Sequence, residues 1–154
     1  MKKVSELMNT LILIIDDSPT ICKMLDMTAN REGYTACSFP DGYAALRWLA
    51  SPEGRIPALI FLDLTMPRMD GFTVLRHLKS KPALAAVPVI VLTSREGMID
   101  RLKARLAEVD EYLTKPFTQE QIVALLYGYL GVPSRVVPSV PYDHLTFQRQ
   151  GEHP

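Results

Sequence analysis

Residues 11–17 read LILIIDD, residues 58–63 ALIFLD and residues 87–94 VPVIVLTS. Each is a short apolar run that does not alternate, and each ends in polar side chains. A run with no solvent-facing position suits a strand covered on both faces, as in a parallel sheet between two layers of helices. Strands are therefore expected at Leu11–Ile15, Ala58–Leu62 and Val87–Leu92, with weaker ones at Tyr34–Phe39 and Glu111–Thr114. The segments between them carry a helical period. Ser18 followed by Pro19 is an N-cap and first-turn pair, Ile21, Met24, Leu25 and Thr28 share a face, and Gly33 supplies the stop. A second helix is expected from about Asp41 to Ala50, with Ala45, Leu46 and Leu49 inward. A third follows Gly71 with Phe72, Leu75 and Leu78, and a fourth carries Ile99, Leu102 and Leu106. The fifth starts at Thr118, where Thr118 and Gln121 resemble a capping box, and buries Ile122, Leu125, Leu126 and Tyr129. Strand and helix alternate five times, the pattern of a doubly wound α/β domain with right-handed crossovers.

The whole-chain figures agree with one such domain. At 154 residues and 47% hydrophobic, 22% charged side chains, the chain is long and apolar enough to bury its own core. Seventeen basic residues balance seventeen acidic ones, and a net charge of zero argues against nucleic-acid or anionic-membrane binding, which rest on a basic footprint. Cys22 and Cys37 have neither metal-type nor C-x-x-C spacing, so two buried, reduced thiols are expected. The first ten residues, MKKVSELMNT, lack the apolar stretch of a signal peptide, and no run approaches a membrane span, so a cytoplasmic location is expected. The organisation expected is an N-terminal extension at 1–10, one domain at 11–130 and a tail at 131–154. That last segment holds four of the twelve prolines without helical period, and it reads as extended chain or the start of a linker, with no output domain.

Polar chemistry collects at the carboxyl ends of the apolar strands. The first ends in Asp16 and Asp17, the third in Asp63, the fourth in Thr93 and Ser94, and the fifth in Lys115. In an open parallel sheet those ends line one crevice. Three carboxylates packed together raise one another's pKa unless a cation joins them. An oxygen-only set without His or Cys favours a small hard ion such as Mg2+, which takes one or two carboxylates plus water and phosphate oxygens. Lys115 adds a point charge for a phosphate oxygen and Thr93 a hydroxyl donor. A carboxylate nucleophile, a metal, a lysine and a hydroxyl are what phosphoryl transfer to an aspartate requires. Position by position, each of these residues also has a plain reading as a solvated loop residue, a helix cap or a surface cation.

IIDDSPT, FLDLTMPRMDGF, VIVLTS and YLTKPF together resemble the receiver domain of two-component response regulators, over about Leu11 to Leu130. The stretches TSREGMID at 93–100 and DEYLTKPF at 110–117 look most like single-domain receivers of chemotaxis and twitching-motility systems. The resemblance implies a flavodoxin-like sheet, (βα)5 in strand order 2-1-3-4-5. It implies that Asp63 is the phosphoacceptor, taking the phosphoryl group of a phosphohistidine on a sensor histidine kinase or a phosphotransfer protein. Asp17, Asp63 and the backbone carbonyl of Thr65 would ligate Mg2+, with Asp16 acting through a bound water. Lys115 would pair with the phosphate, Thr93 would move to hydrogen-bond it, and Tyr112 would turn inward as the aromatic switch. Lys115–Pro116 would be a cis peptide. Arg95, Arg101, Lys103 and Tyr112 would form the face that meets a downstream protein target or a second copy in a phosphorylation-dependent homodimer. Thr65 and Arg95 occupy the positions that tune the lifetime of the phosphoryl group, and Glu108 stands where the family commonly has a small residue.

Other readings compete with this one. A receiver that no longer uses phosphate would serve as a fixed interaction module. An aspartate-nucleophile phosphatase of the haloacid dehalogenase type also puts an Asp at a strand end, but it wants a second acid where Thr65 stands, and usually a cap domain. No enzyme of that kind is expected, only slow self-phosphorylation and self-dephosphorylation. Met66–Gly71 has the Pro and Gly of a tight loop, which structure alone explains. Trp48 reads as packing, and His77, His144 and His153 fall away from the acidic positions.

Overall fold

The computed structural model describes residues 10–66, 68–94 and 109–132. Five strands, β1 (Leu11–Ile15), β2 (Thr35–Phe39), β3 (Leu59–Asp63), β4 (Val89–Thr93) and β5 (Glu111–Thr114), form one parallel sheet in the order β2-β1-β3-β4-β5. The described helices are α1 (Pro19–Arg31), α2 (Gly42–Ala50), α3 (Gly71–Ser80), a short α4 (Pro82–Ala85) and α5 (Gln119–Leu130). This is the flavodoxin-like doubly wound arrangement. The fourth helix expected around Ile99, Leu102 and Leu106, the extension at 1–9 and nearly all of the tail lie outside the described residues.

The non-alternating strands are buried on both faces. Every residue of β1, β3 and β4 is buried, Asp63 and Thr93 included. One layer of core joins Leu13, Ile15, Ile60, Leu62, Val89 and Val91 to Ala45 of α2 and to Val74, Leu75 and Leu78 of α3. The other joins Ile12, Ile14, Leu59, Phe61, Ile90 and Leu92 to Leu25 and Ala29 of α1 and to Ile122 and Leu126 of α5. Leu46, Leu49, Phe72, Ile21, Met24, Leu125 and Tyr129 are half-buried against these layers. Trp48 is packing as well, with its ring 5.5 Å from that of Phe39. Cys22 and Cys37 are free thiols, half-buried rather than enclosed. Among the described residues no helix is long and apolar enough to cross a membrane.

Helix starts follow the side chains that can satisfy orphan N–H groups. Ser18 accepts from Ile21 N, Asp41 from Ala44 N, Asp70 from Thr73 N and Thr118 from Gln121 N. At α5 the capping box is complete, since Gln121 reaches back to the Thr118 N–H at 2.8 Å. Thr118→Ala removes one half of it and is expected to cost about 1 kcal/mol. Urea denaturation checks the value, and an unchanged midpoint would show the cap to be idle.

Candidate functional site

Strand order places the site. Chain connection reverses between β1 and β3, and at such a switch point the crevice beyond the carboxyl ends is open. Register then fixes which residues arrive there. Ile15 pairs with Leu62, Asp63 with Leu92, and Thr93 with Thr114. Asp16, Asp63, Thr93 and Lys115 therefore emerge at one level from four strands, and Asp17 follows Asp16 at the entrance to α1.

Their surroundings differ. Asp16 is fully buried; its Oδ1 accepts from Ser18 N at 2.9 Å and its Oδ2 lies 2.8 Å from Lys115 Nζ. That Oδ2 is off the line of a hydrogen bond and is left with the ion pair alone. Asp63 is 4% exposed; its Oδ1 accepts from Thr65 N at 3.1 Å and its Oδ2 is 3.5 Å from the same ammonium. Asp17 is exposed, and one carboxylate oxygen from each of the three aspartates falls within 4.8 Å of the others. Lys115 is fixed at the backbone, its N–H donating to the Thr93 carbonyl at 2.7 Å, and its peptide to Pro116 is cis.

Three carboxylates against one ammonium leave the cluster two charges negative when fully ionised. Burial pushes the Asp63 carboxyl up to about 6, with Asp16 and Asp17 adding to the rise, against the Thr65 N–H and Lys115. Burial pulls the Lys115 ammonium down, but Asp16 and Asp63 outweigh it and hold its pKa above the ordinary lysine value. The Cys22 thiol is pushed up to about 11, by burial first and then by Asp16, so it stays protonated. A buried carboxylate oxygen held by an ion pair alone, a raised Asp63 and an all-oxygen donor set fit a small hard divalent cation, which would supply the missing positive charge.

Thr93 is buried at the end of β4. Tyr112 is half-buried on β5 against the α2–α3 layer, and burial raises its pKa. Thr65 is exposed. Arg95, Arg101, Lys103 and Glu108 lie outside the described residues. His77 is on the exposed side of α3, among Arg76 and Ser80. One feature escaped the sequence: a cavity of about 220 Å3 beside the carboxylates, lined by Asp17, Pro19, Cys22, Ser38 and Phe39 among others. Ser38 and Phe39 stand at the carboxyl end of β2, where the strand-end rule already pointed.

A family model described as the response regulator receiver domain matches residues 12–127. Protein PilG of Pseudomonas aeruginosa is 35% identical over 123 residues, which are 80% of this chain and 87% of PilG. Several further curated relatives are longer, and this chain spans about half the length of each. Chemotaxis response regulator CheY4 of Vibrio cholerae shares the fold, with a TM-score of 0.71 over 79% of this chain and 99% of that one at 24% identity. The receiver domain of a Pseudomonas aeruginosa sensor histidine kinase matches with a TM-score of 0.69 and 27% identity, over 80% and 98% of the two chains. Its structure has a magnesium ion coordinated in the active-site cleft.

Proposed function

The chain belongs to the response regulator receiver family, and on that premise we propose that it is a phosphorylation-driven binding switch with Asp63 as its phosphoacceptor. The observation that carries this reading is the convergence of a buried Asp63 with Asp16, Asp17 and Lys115 at the sheet's switch point. Two of its oxygens' neighbours, the Thr65 N–H and the Lys115 ammonium, are donors suited to an acyl phosphate as well as to a carboxylate.

In the step proposed, an Asp63 carboxylate oxygen attacks the phosphorus of a phosphohistidine on a sensor kinase or phosphotransfer protein. The O–P bond forms as the P–N bond breaks, and the electron pair leaves with the donor's imidazole. Asp17, Asp63 and the Thr65 carbonyl would hold Mg2+, with Asp16 reaching it through water. When bound, the ion neutralises charge that would otherwise repel the incoming phosphoryl group. Lys115 pairs with a phosphoryl oxygen. Thr93 shifts toward the new anion, Tyr112 follows it inward, and the surface around Tyr112 changes its affinity for a downstream protein or a second copy. A switch of this sort works only by binding its partner differently in the two states.

The test is intact mass after incubation with Mg2+ and acetyl phosphate. One added phosphoryl group is expected in the native chain and none when Mg2+ is chelated. Mg2+ binding without any incorporation from acetyl phosphate or from a panel of phosphorylated histidine donors would turn the chain into a fixed interaction module. A cytoplasmic setting belongs to the same reading, since its donor would present phosphohistidine there.

A further inference from the structure

The loop between β3 and α3 holds one residue against its conformational preference. Arg68 has φ +69°, the left-handed region that a side chain with a Cβ enters at a cost. Everything described around it is tied down. The Gly71 N–H donates to the Leu64 carbonyl at 3.1 Å and closes the base of the loop. Thr65 N is held by Asp63 Oδ1, Met66 is buried, Met69 packs against the α2–α3 core, and Asp70 caps α3. Arg68 is an exposed side chain of this loop, and among the described residues it makes no ion pair. Nothing in the packing requires an arginine there; glycine or asparagine would hold the same backbone more cheaply.

Even with a divalent ion bound, the site five residues away would carry no net positive charge to draw in an anion. An anionic donor must approach three carboxylates offset by Lys115 and a bound divalent ion. From the reach of five residues in a loop closed at its base, the Arg68 guanidinium lies within roughly 15 Å of Asp63, inside the screening length of about 30 Å at 0.01 M salt. A charge at that distance acts on encounter rather than on bonding.

We propose that Arg68 is a steering residue, a cation held at the rim of the acidic site by a strained, rigid loop so as to raise the capture rate of anionic phosphodonors. The inference rests on the phosphoacceptor reading of Asp63. Its experiment measures the rate of phosphoryl incorporation from acetyl phosphate under saturating Mg2+, from about 0.01 to 0.5 M salt, in the native chain, Arg68→Gly, Arg68→Gln and Arg68→Glu. One unit charge at this range predicts roughly a two- to threefold lower rate for the two neutral variants at low salt, a larger loss for Arg68→Glu, and convergence of all four rates at high salt. Mg2+ affinity should shift the opposite way, rising slightly from the native chain to the neutral variants to Arg68→Glu at low salt and converging at high salt, and Arg68→Gly should melt no lower than the native chain. Equal rates at low salt, or a loss that salt does not erase, overturns the steering role and makes Arg68 a structural loop residue. Absence of incorporation in all four chains, from acetyl phosphate and from the panel of phosphorylated histidine donors alike, overturns the phosphoacceptor reading, and the steering role with it. Incorporation in the native chain separates that failure from the first.

Discussion

Asp63→Asn is expected to abolish phosphoryl incorporation and, at neutral pH without metal, to make the fold more stable. The first effect follows from chemistry, since an amide has no carboxylate oxygen to attack phosphorus. The second follows from the position of the proton. In the folded chain the Asp63 carboxyl keeps its proton up to about pH 6, against an ordinary value of 3.8. Between those values the folded state binds the extra proton, so stability from this group is fully present below about pH 3.8 and is lost as pH rises through 6. At pH 7.5 the native chain therefore carries an ionised, buried carboxylate that disfavours folding by about 2–3 kcal/mol at most. Asparagine keeps the acceptor for the Thr65 N–H and the shape, and it removes the charge; Lys115 retains Asp16 at 2.8 Å. Urea melts in EDTA should place the variant's midpoint above the native one at pH 7.5, with the gap closing as pH falls toward 4. Mg2+ should raise the native midpoint far more than the variant's, because ligand binding to the folded state alone adds stability by mass action. A variant less stable than the native chain in EDTA, or a gap indifferent to pH, would mean that Asp63 is not held in the strained state described.

Much of this arrangement was legible in the sequence, because the determining signals are local. The apolar runs give β1 and β5 at the expected bounds, and the caps at Ser18, Asp41 and Thr118 give the helix starts. The inner strands slide toward their carboxyl ends. Pro88 has no N–H for the ladder, so β4 begins at Val89, while β3 begins at Leu59. At the other end Asp63 and Thr93, expected to follow their strands, lie inside them, because each has a register partner in the next strand. Tyr34 falls outside β2 although it is buried, since its burial serves side-chain packing against α1 and α5 rather than the ladder. The short α4 was missed. Four residues hold too little of a period to read, and Pro82 at its start is equally a turn signal. At the site, strand-end logic expects Asp16, Asp17, Asp63, Thr93 and Lys115 at one end of the sheet, and ion pairs and carboxylate spacing join Asp16, Asp17, Asp63 and Lys115 there. It could not see that Lys115 sits closer to Asp16 than to Asp63, at 2.8 against 3.5 Å, because that depends on geometry across four strands.

Gly71 and Gly128 test the same geometry from the backbone, with opposite signs. Gly128 lies inside α5, where alanine is worth about 0.8–1 kcal/mol over glycine on propensity alone, whereas Gly71 is the first residue of α3, where the gain is smaller. At Gly128 a Cβ would meet nothing within 4 Å, so Gly128→Ala should stabilise by about that amount. At Gly71 a Cβ would fall 2.6 Å from the Asp63 carbonyl oxygen and 2.6 Å from the Leu64 Cα. Both are backbone atoms at the end of a buried strand, with no rotamer to yield, so either α3 or the end of β3 must move. The Gly71 N–H to Leu64 hydrogen bond holds them against each other, and overpacking of this kind costs about 1–3 kcal/mol or more after the propensity gain is subtracted. Displacing β3 there also displaces Asp63, so Gly71→Ala should weaken Mg2+ binding as well as lower the denaturation midpoint. Gly128→Ala should leave Mg2+ affinity alone. If both alanines stabilise the fold, the close approach of α3 to Asp63 is relieved at little cost, and the loop that carries Arg68 is less rigid than its closed base indicates. If Gly71→Ala loses stability and metal affinity together, the packing of one glycine sets the position of the acceptor aspartate.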